Sequence, residues 1–148
     1  MSSTYISLHL HIVFSTKDRQ PIIGKDWIAR LHEYLDGAAD GLDGFSQGVG
    51  GTKDHVHLLV GLRSTHRLSE FMRELKKSSS QWVHEQIGLE KFAWQEGYGA
   101  FSVSPNARGG MKRYIANQEE HHRRKTLREE LIEMLDKAGV EYDPQYLD

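Results

Sequence analysis

Apolar residues alternate with the rest from Tyr5 to Val13, so that Ile6, Leu8, Leu10 and Ile12 share one face of an extended chain. That is the period-two signature of a strand, here ending near Ser15 and Thr16. After a basic turn holding Lys17 and Arg19, the spacing changes to Trp27, Ile28, Leu31, Tyr34 and Leu35, which predicts a helix over 26–35 stopped by Gly37. Glycines at 37, 41, 44, 48, 50 and 51 punctuate the next segment and predict a loop, a short strand over 45–49 and a tight turn. From 55 to 62 the unbroken Leu58-Leu59-Val60 predicts a central strand covered on both faces. Leu68, Phe71, Met72, Leu75, Trp82 and Val83 then mark a long amphipathic helix reaching about Gln86 and closed by Gly88.

A last short strand is predicted over 100–104, with Ser104-Pro105 opening a helix that carries Tyr114. Gly109 and Gly110 interrupt that helix early, each costing about 1 kcal/mol relative to alanine. A final helix is expected over 126–138, with Leu127, Leu131, Met134 and Leu135 apolar and Gly139 ending it. The order strand, helix, strand, strand, helix, strand predicts an α+β fold: a ferredoxin-like or RNA-recognition-like antiparallel sheet with helices on one face and additional C-terminal helices. At 148 residues, one domain over 1–148 is expected, its residues 126–148 forming a C-terminal helix and acidic tail.

The formal charge of -2 weighs against a polyanion partner only as an average. Residues 129–148 hold seven acids and one base, which leaves 18 bases against 14 acids in residues 1–128. The body is basic and the tail acidic. With no cysteine, any metal is held by nitrogen and oxygen ligands, and disulfide scaffolds and zinc ribbons are excluded. No signal-peptide pattern and no run near the roughly 18 apolar residues of a membrane span is found, so a cytoplasmic protein without membrane association is expected.

Two His-x-His pairs stand out, His9-Leu10-His11 and His55-Val56-His57. In a strand each pair points both imidazoles to one face, about 7 Å apart along the chain, a geometry that chelates a cation. The second pair follows Gly50-Gly51-Thr52-Lys53-Asp54 and leads into the buried strand, where Asp54 is placed to orient a histidine. The pair at 9 and 11 lies within a strand and is assigned a structural or neighbouring role. Tyr114 and Gln118 fall at i and i+4 on one helical face. A carboxamide oxygen with two imidazoles makes a three-ligand site for a divalent ion, with a phenol one turn away.

At these residues the chain resembles the single-tyrosine HUH transposases of small insertion sequences and their repeat-associated relatives. The resemblance covers nearly the whole chain: His11 to Lys17, Asp54 to Leu59, Lys76 to Trp82, Trp94 to Tyr98, and Tyr114 to His122. It implies His55, His57 and Gln118 as ligands of Mg²⁺ or Mn²⁺ and Tyr114 as the nucleophile. It also implies single-stranded hairpin DNA as substrate, a 5′-phosphotyrosine intermediate, a bacterial protein associated with the nucleoid when bound to DNA, and a homodimer whose sites can be shared between subunits. Gly109 and Gly110 depart from the family's helical lead-in and leave open which subunit supplies the tyrosine.

DNA contacts are expected from Lys17, Arg19, Arg73, Lys76, Lys77, Arg108, Lys112 and Arg113, with Trp82, Trp94 and Tyr98 as stacking surfaces, although Trp82 lies on an apolar stripe. The run His121-His122-Arg123-Arg124-Lys125 is assigned no role. Three other readings compete. A histidine-triad hydrolase needs a histidine where Leu59 stands; a catalytically silent single-strand nucleic-acid binding module needs only basic residues and aromatics; a dimerisation domain leaves the histidine pair idle.

Overall fold

The computed structural model describes residues 3–147; Asp148, the last acid of the expected tail, lies outside the described residues. Four strands form one antiparallel sheet in the order β2-β3-β1-β4, with β1 Leu8–Ser15, β2 Phe45–Thr52, β3 His55–Leu62 and β4 Gly99–Ser102. β1 and β3 are the inner pair, which is why β3 is buried along almost its full length. The chain before Leu8 leaves the sheet, and Tyr5 is 89 % exposed, so the first strand is shorter at its start than its alternation suggests.

The pleat sorts the inner strands into two faces. Ile12 and Phe14 of β1 and Val56, Leu58 and Val60 of β3 pack against α1 (Ile28–Gly41) and α2 (Leu68–Trp82). Leu31, Leu35, Phe71 and Leu75 face them from the helices. On the opposite face, Leu59 and Val103 pack under Ile115 of α3 (Arg108–Ala116). His11, His55 and His57 are buried on that second face.

Several boundaries differ from the sequence pattern, each for a packing reason. The first helix runs through exposed Gly37 to Gly41, because Ala39 is still buried against the core. β2 extends to Thr52, three residues past the predicted end, held by ladder pairing to β3 with a register shift between Ser46 and Gly48. α2 passes into a π-turn at Val83–Ile87 that ends on Gly88 at φ 87. Gly109 and Gly110 do not interrupt the tyrosine helix, which is regular from Arg108. It breaks instead at Asn117 (φ -103, ψ 25), so Gln118 begins a separate short helix, α4 (Gln118–His121).

α5 (Leu127–Ala138) is set by a reciprocal capping box. Thr126 Oγ1 accepts from the Glu129 backbone N–H while the Glu129 carboxylate accepts from the Thr126 N–H, and Gly139 closes the helix at φ 68. No helix among the described residues is long and apolar enough to cross a membrane.

The seat of α3 depends on one glycine. A Cβ at Gly50 would lie 2.0 Å from the Ile115 carbonyl oxygen, a backbone atom that cannot rotate away. Gly50→Ala therefore lifts α3 from β2 and moves Tyr114 away from the histidines. We expect a loss of about 1–3 kcal/mol in urea denaturation, the range for overpacking; an unchanged midpoint would show that α3 is not anchored there.

Candidate active site

The turn at Lys53–Asp54 starts β3 so that His55 and His57 point to the second face, one on each side of the backbone of Val56. His55 Nδ1–H donates to Asp54 Oδ1 at 2.7 Å, with Thr52 Oγ1 at 3.1 Å from the same nitrogen. A carboxylate has no proton to give, so the ring proton sits on Nδ1 and Nε2 presents its lone pair. That nitrogen stands 3.3 Å from Gln118 Oε1. The carboxamide is oriented by its own Nε2–H, which donates to the Tyr114 carbonyl at 3.3 Å.

His57 Nδ1 and His11 Nε2 share one proton across 2.7 Å, and their rings stack at 4.9 Å between centroids. His11 thus fixes the ring of His57, as a neighbouring residue. On its other side, His57 Nε2 lies 3.0 Å from Glu130 Oε1, yet neither atom has an aligned hydrogen bond. His122 Nε2 is 3.0 Å from Gln118 Oε1 and 3.4 Å from Glu130 Oε1. The second carboxylate oxygen, Oε2, accepts from the Tyr114 hydroxyl and lies 3.0 Å from His121 Nε2. The Tyr114 ring stands edge-on to His57 at 5.7 Å between centroids, within the same chain.

Burial dominates the electrostatics. It lowers His57 from 6.5 to about 4 and His11 to about 3, with neighbouring imidazoles adding to the effect, so both rings are neutral at pH 7. Burial, and then the Glu130 carboxylate, push the Tyr114 phenol above its ordinary range. At Glu130 burial opposes ionisation, but the neighbouring His122 and His57 rings and the Tyr114 hydroxyl outweigh it and hold the carboxyl well below the usual range. Ligand atoms of His55, His57, His122 and Glu130 all lie within 4.8 Å of one another. A divalent ion about 2.0–2.3 Å from each donor spans nearly that distance, and the nitrogen and oxygen donors suit a borderline divalent metal.

The expected DNA contacts are spread over several surfaces. Arg73, Lys76 and Lys77 line a cleft with Trp94 and Tyr98. Lys76 Nζ is committed there, donating to the Gln95 carbonyl at 2.8 Å and to Gly97, over the Tyr98 ring. Trp94 is not an open stacking surface: its indole donates to Ser79 Oγ at 2.9 Å and packs on Phe14 and Phe92. Trp82 stacks on Tyr34. Lys112 and Arg113 are exposed on α3, Arg108 reaches the Pro105 carbonyl, and Lys17 and Arg19 flank a tight turn with Asp18 at φ 56. Lys25, Lys53 and Arg123, not anticipated, line a cleft opening beside His122.

Comparison with known proteins bears on these positions. The family described as IS200-like transposase matches residues 4–118, well over half of the chain. This chain belongs to that family. No curated protein matches it at significance. The transposase shares its fold with a candidate transposase from Deinococcus radiodurans, at TM-score 0.66 and 23% identity over 80% of this chain and 95% of the other. It is also similar to a REP-associated tyrosine transposase solved bound to a REP hairpin, at TM-score 0.59 and 17% identity over 82% and 73%.

The transposase's matched stretch ends at Gln118, so His121, His122 and Glu130 lie beyond it. These three are what the sequence pattern missed. The sequence places Glu130 in the acidic tail, but it is 2% exposed and sits at the centre of the site. Its signal was present: it falls in the apolar stripe of α5, three residues after Leu127 and four before Met134.

The buried histidines make the metal-free protein acid-sensitive. His32 on α1, its Nε2 without a hydrogen-bond partner among the described residues, is lowered from 6.5 to about 4 by burial and by His55. A depressed pKa means the unfolded chain binds protons first, so stability present above pH 6.5 is lost as pH falls towards 4. In EDTA, the urea midpoint should fall across that window, ahead of any loss from carboxylates. His32→Leu should remove on the order of 2 kcal/mol of the fall; a pH-independent wild-type midpoint between 6.5 and 4 would contradict the burial of neutral imidazoles.

Proposed function

We propose that this transposase, one domain over residues 1–148, binds single-stranded DNA with hairpins at element ends and cleaves and rejoins it by transesterification on Tyr114. The observation that carries this reading is the convergence, within one chain, of His55 Nε2, His57 Nε2, Gln118 Oε1 and the Tyr114 phenol. His55, His57 and Gln118 hold a divalent cation, Mg²⁺ or Mn²⁺. When bound, such an ion supplies Lewis acidity to a phosphate oxygen and offsets charge on the attacking and leaving oxygens. Asp54 keeps the His55 ring in the tautomer that presents Nε2, and His57 presents its own Nε2 when the proton shared with His11 rests on His57 Nδ1.

The Tyr114 oxygen attacks the phosphorus, the bond from phosphorus to the 3′ oxygen breaks, and a 5′-phosphotyrosine forms. The leaving 3′ oxygen gains a proton and the phenol loses one. Because its surroundings disfavour a free phenolate, that loss accompanies bond formation to phosphorus, and Glu130 Oε2 is the acceptor already in contact. Attack by another 3′-hydroxyl on the phosphotyrosine reverses the step without ATP, so cutting and joining are one reaction run in two directions. Lys17, Arg19, Arg73, Lys77, Arg108, Lys112 and Arg113 contribute counterion-releasing contacts to the strand, with Tyr98, 38 % exposed, as a stacking surface, while Lys76, held by the Gln95 and Gly97 carbonyls, shapes the cleft beside them. The working unit is a homodimer.

Incubation with end-labelled single-stranded hairpin DNA and Mn²⁺ tests the reading. Wild type should form a covalent adduct resistant to denaturation. Tyr114→Phe should form none while binding DNA with unchanged affinity. DNA binding with no adduct in the wild type would leave a nucleic-acid binding module. Imidazole donors also predict tighter binding of Mn²⁺ than of Mg²⁺, measurable by competition titration; equal affinities would argue for an all-oxygen site elsewhere.

A further inference from the structure

His122 and Glu130 reach the histidine pair from a segment the family match does not include. Three geometric facts need a common explanation. First, His55 Nε2 and Gln118 Oε1 face each other at 3.3 Å as two acceptors, since Asp54 takes the ring proton and Tyr114 O takes the amide proton. Two lone pairs at that separation repel unless a positive charge, or a proton on His122 Nε2 at 3.0 Å from Oε1, lies beside them. Second, His57 Nε2 and Glu130 Oε1 are fully buried, 3.0 Å apart, and without an aligned hydrogen bond. Buried polar atoms in native proteins are almost always satisfied, so each exception needs an explanation, and a shared ion is one. Third, Glu130 is a buried carboxylate whose contacts are imidazoles and a phenol. Burying such a charge without a fixed positive partner costs several kcal/mol.

A cation among these atoms satisfies all three at once. Resting on the metal-site reading above, we infer that His122 Nε2 and Glu130 Oε1 are further ligands of the cation held by His55 and His57, while Glu130 Oε2 holds the Tyr114 hydroxyl. The two oxygens of the one carboxylate divide the work. Oε1 faces His57 and His122, and Oε2 faces Tyr114 and His121. α5 is then part of the active site, and the cation and the nucleophile are docked through one side chain of one subunit. The capping box at Thr126 and Glu129 sets the phase that turns Glu130 inward.

Mn²⁺ binding to the full-length chain, without DNA, provides the test. Calorimetric titration should show affinity lowered at least about tenfold in Glu130→Gln and in His122→Gln, as for weakened metal sites generally. Pulsed electron paramagnetic resonance of the Mn²⁺-loaded wild type should count three imidazole nitrogens, and two in His122→Gln. The wild-type count keeps the test decisive if a variant fails to fold. His55→Ala separates the two readings: if it too binds Mn²⁺ like wild type, the metal site itself is wrong. If only His55→Ala weakens binding, and Glu130→Gln binds normally but cleaves faster, Glu130 is a plug over the site and the inference is overturned. A wild-type count of two nitrogens would overturn the role of His122.

Discussion

Removing a polar ring nitrogen from water costs on the order of 1–3 kcal/mol unless something pairs with it. The second face of this sheet buries three such rings, His11, His55 and His57, together with Gln118 and Glu130. Much of the C-terminal third is arranged to meet that demand. Asp54 and His11 each take up one ring nitrogen, which turns the remaining Nε2 atoms towards the helices above them. α3, α4 and α5 bring the groups that face those atoms. Ring nitrogens pre-aimed at one region, with ligand atoms of His55, His57, His122 and Glu130 within 4.8 Å of one another, could hold an ion without rearrangement.

The same constraint explains why the tyrosine sits where it does. Ile115 packs on Leu59 and Val103 and anchors α3, so the preceding residue, Tyr114, projects over the imidazoles. The break at Asn117 then redirects the chain so that Gln118 turns into the site while still bonding back to Tyr114. Apolar packing positions the phenol; the kink positions the carboxamide. A continuous helix is not what places these two side chains together.

The sheet was legible in the sequence because its signals are local. Alternation in β1, the unbroken apolar run in β3 and the heptad-like spacing of α2 each reflect a face that must be buried. Boundaries at Gly37, Thr52 and Gly109 were not legible, since tertiary packing carries elements through residues whose propensity argues for stopping. The pair at His55 and His57 was readable from strand geometry, and the resemblance supplied Tyr114 and Gln118. Glu130 was hidden by an average. Among seven acids it looked like part of a solvated tail, and only its phase on α5, in line with Leu127 and Met134, distinguishes it. His122 was hidden by a run of basic neighbours in the same way.

Everything in this account depends on one chain supplying both the imidazole pair and the phenol around a single cation. Anomalous diffraction at the manganese edge, from crystals of the full-length protein grown with Mn²⁺, tests that directly. The account predicts one peak within about 2.3 Å of His55 Nε2 and His57 Nε2, flanked by Tyr114 of the same subunit. A peak remote from both imidazoles, or one beside the pair with Tyr114 supplied by the partner subunit, would contradict it.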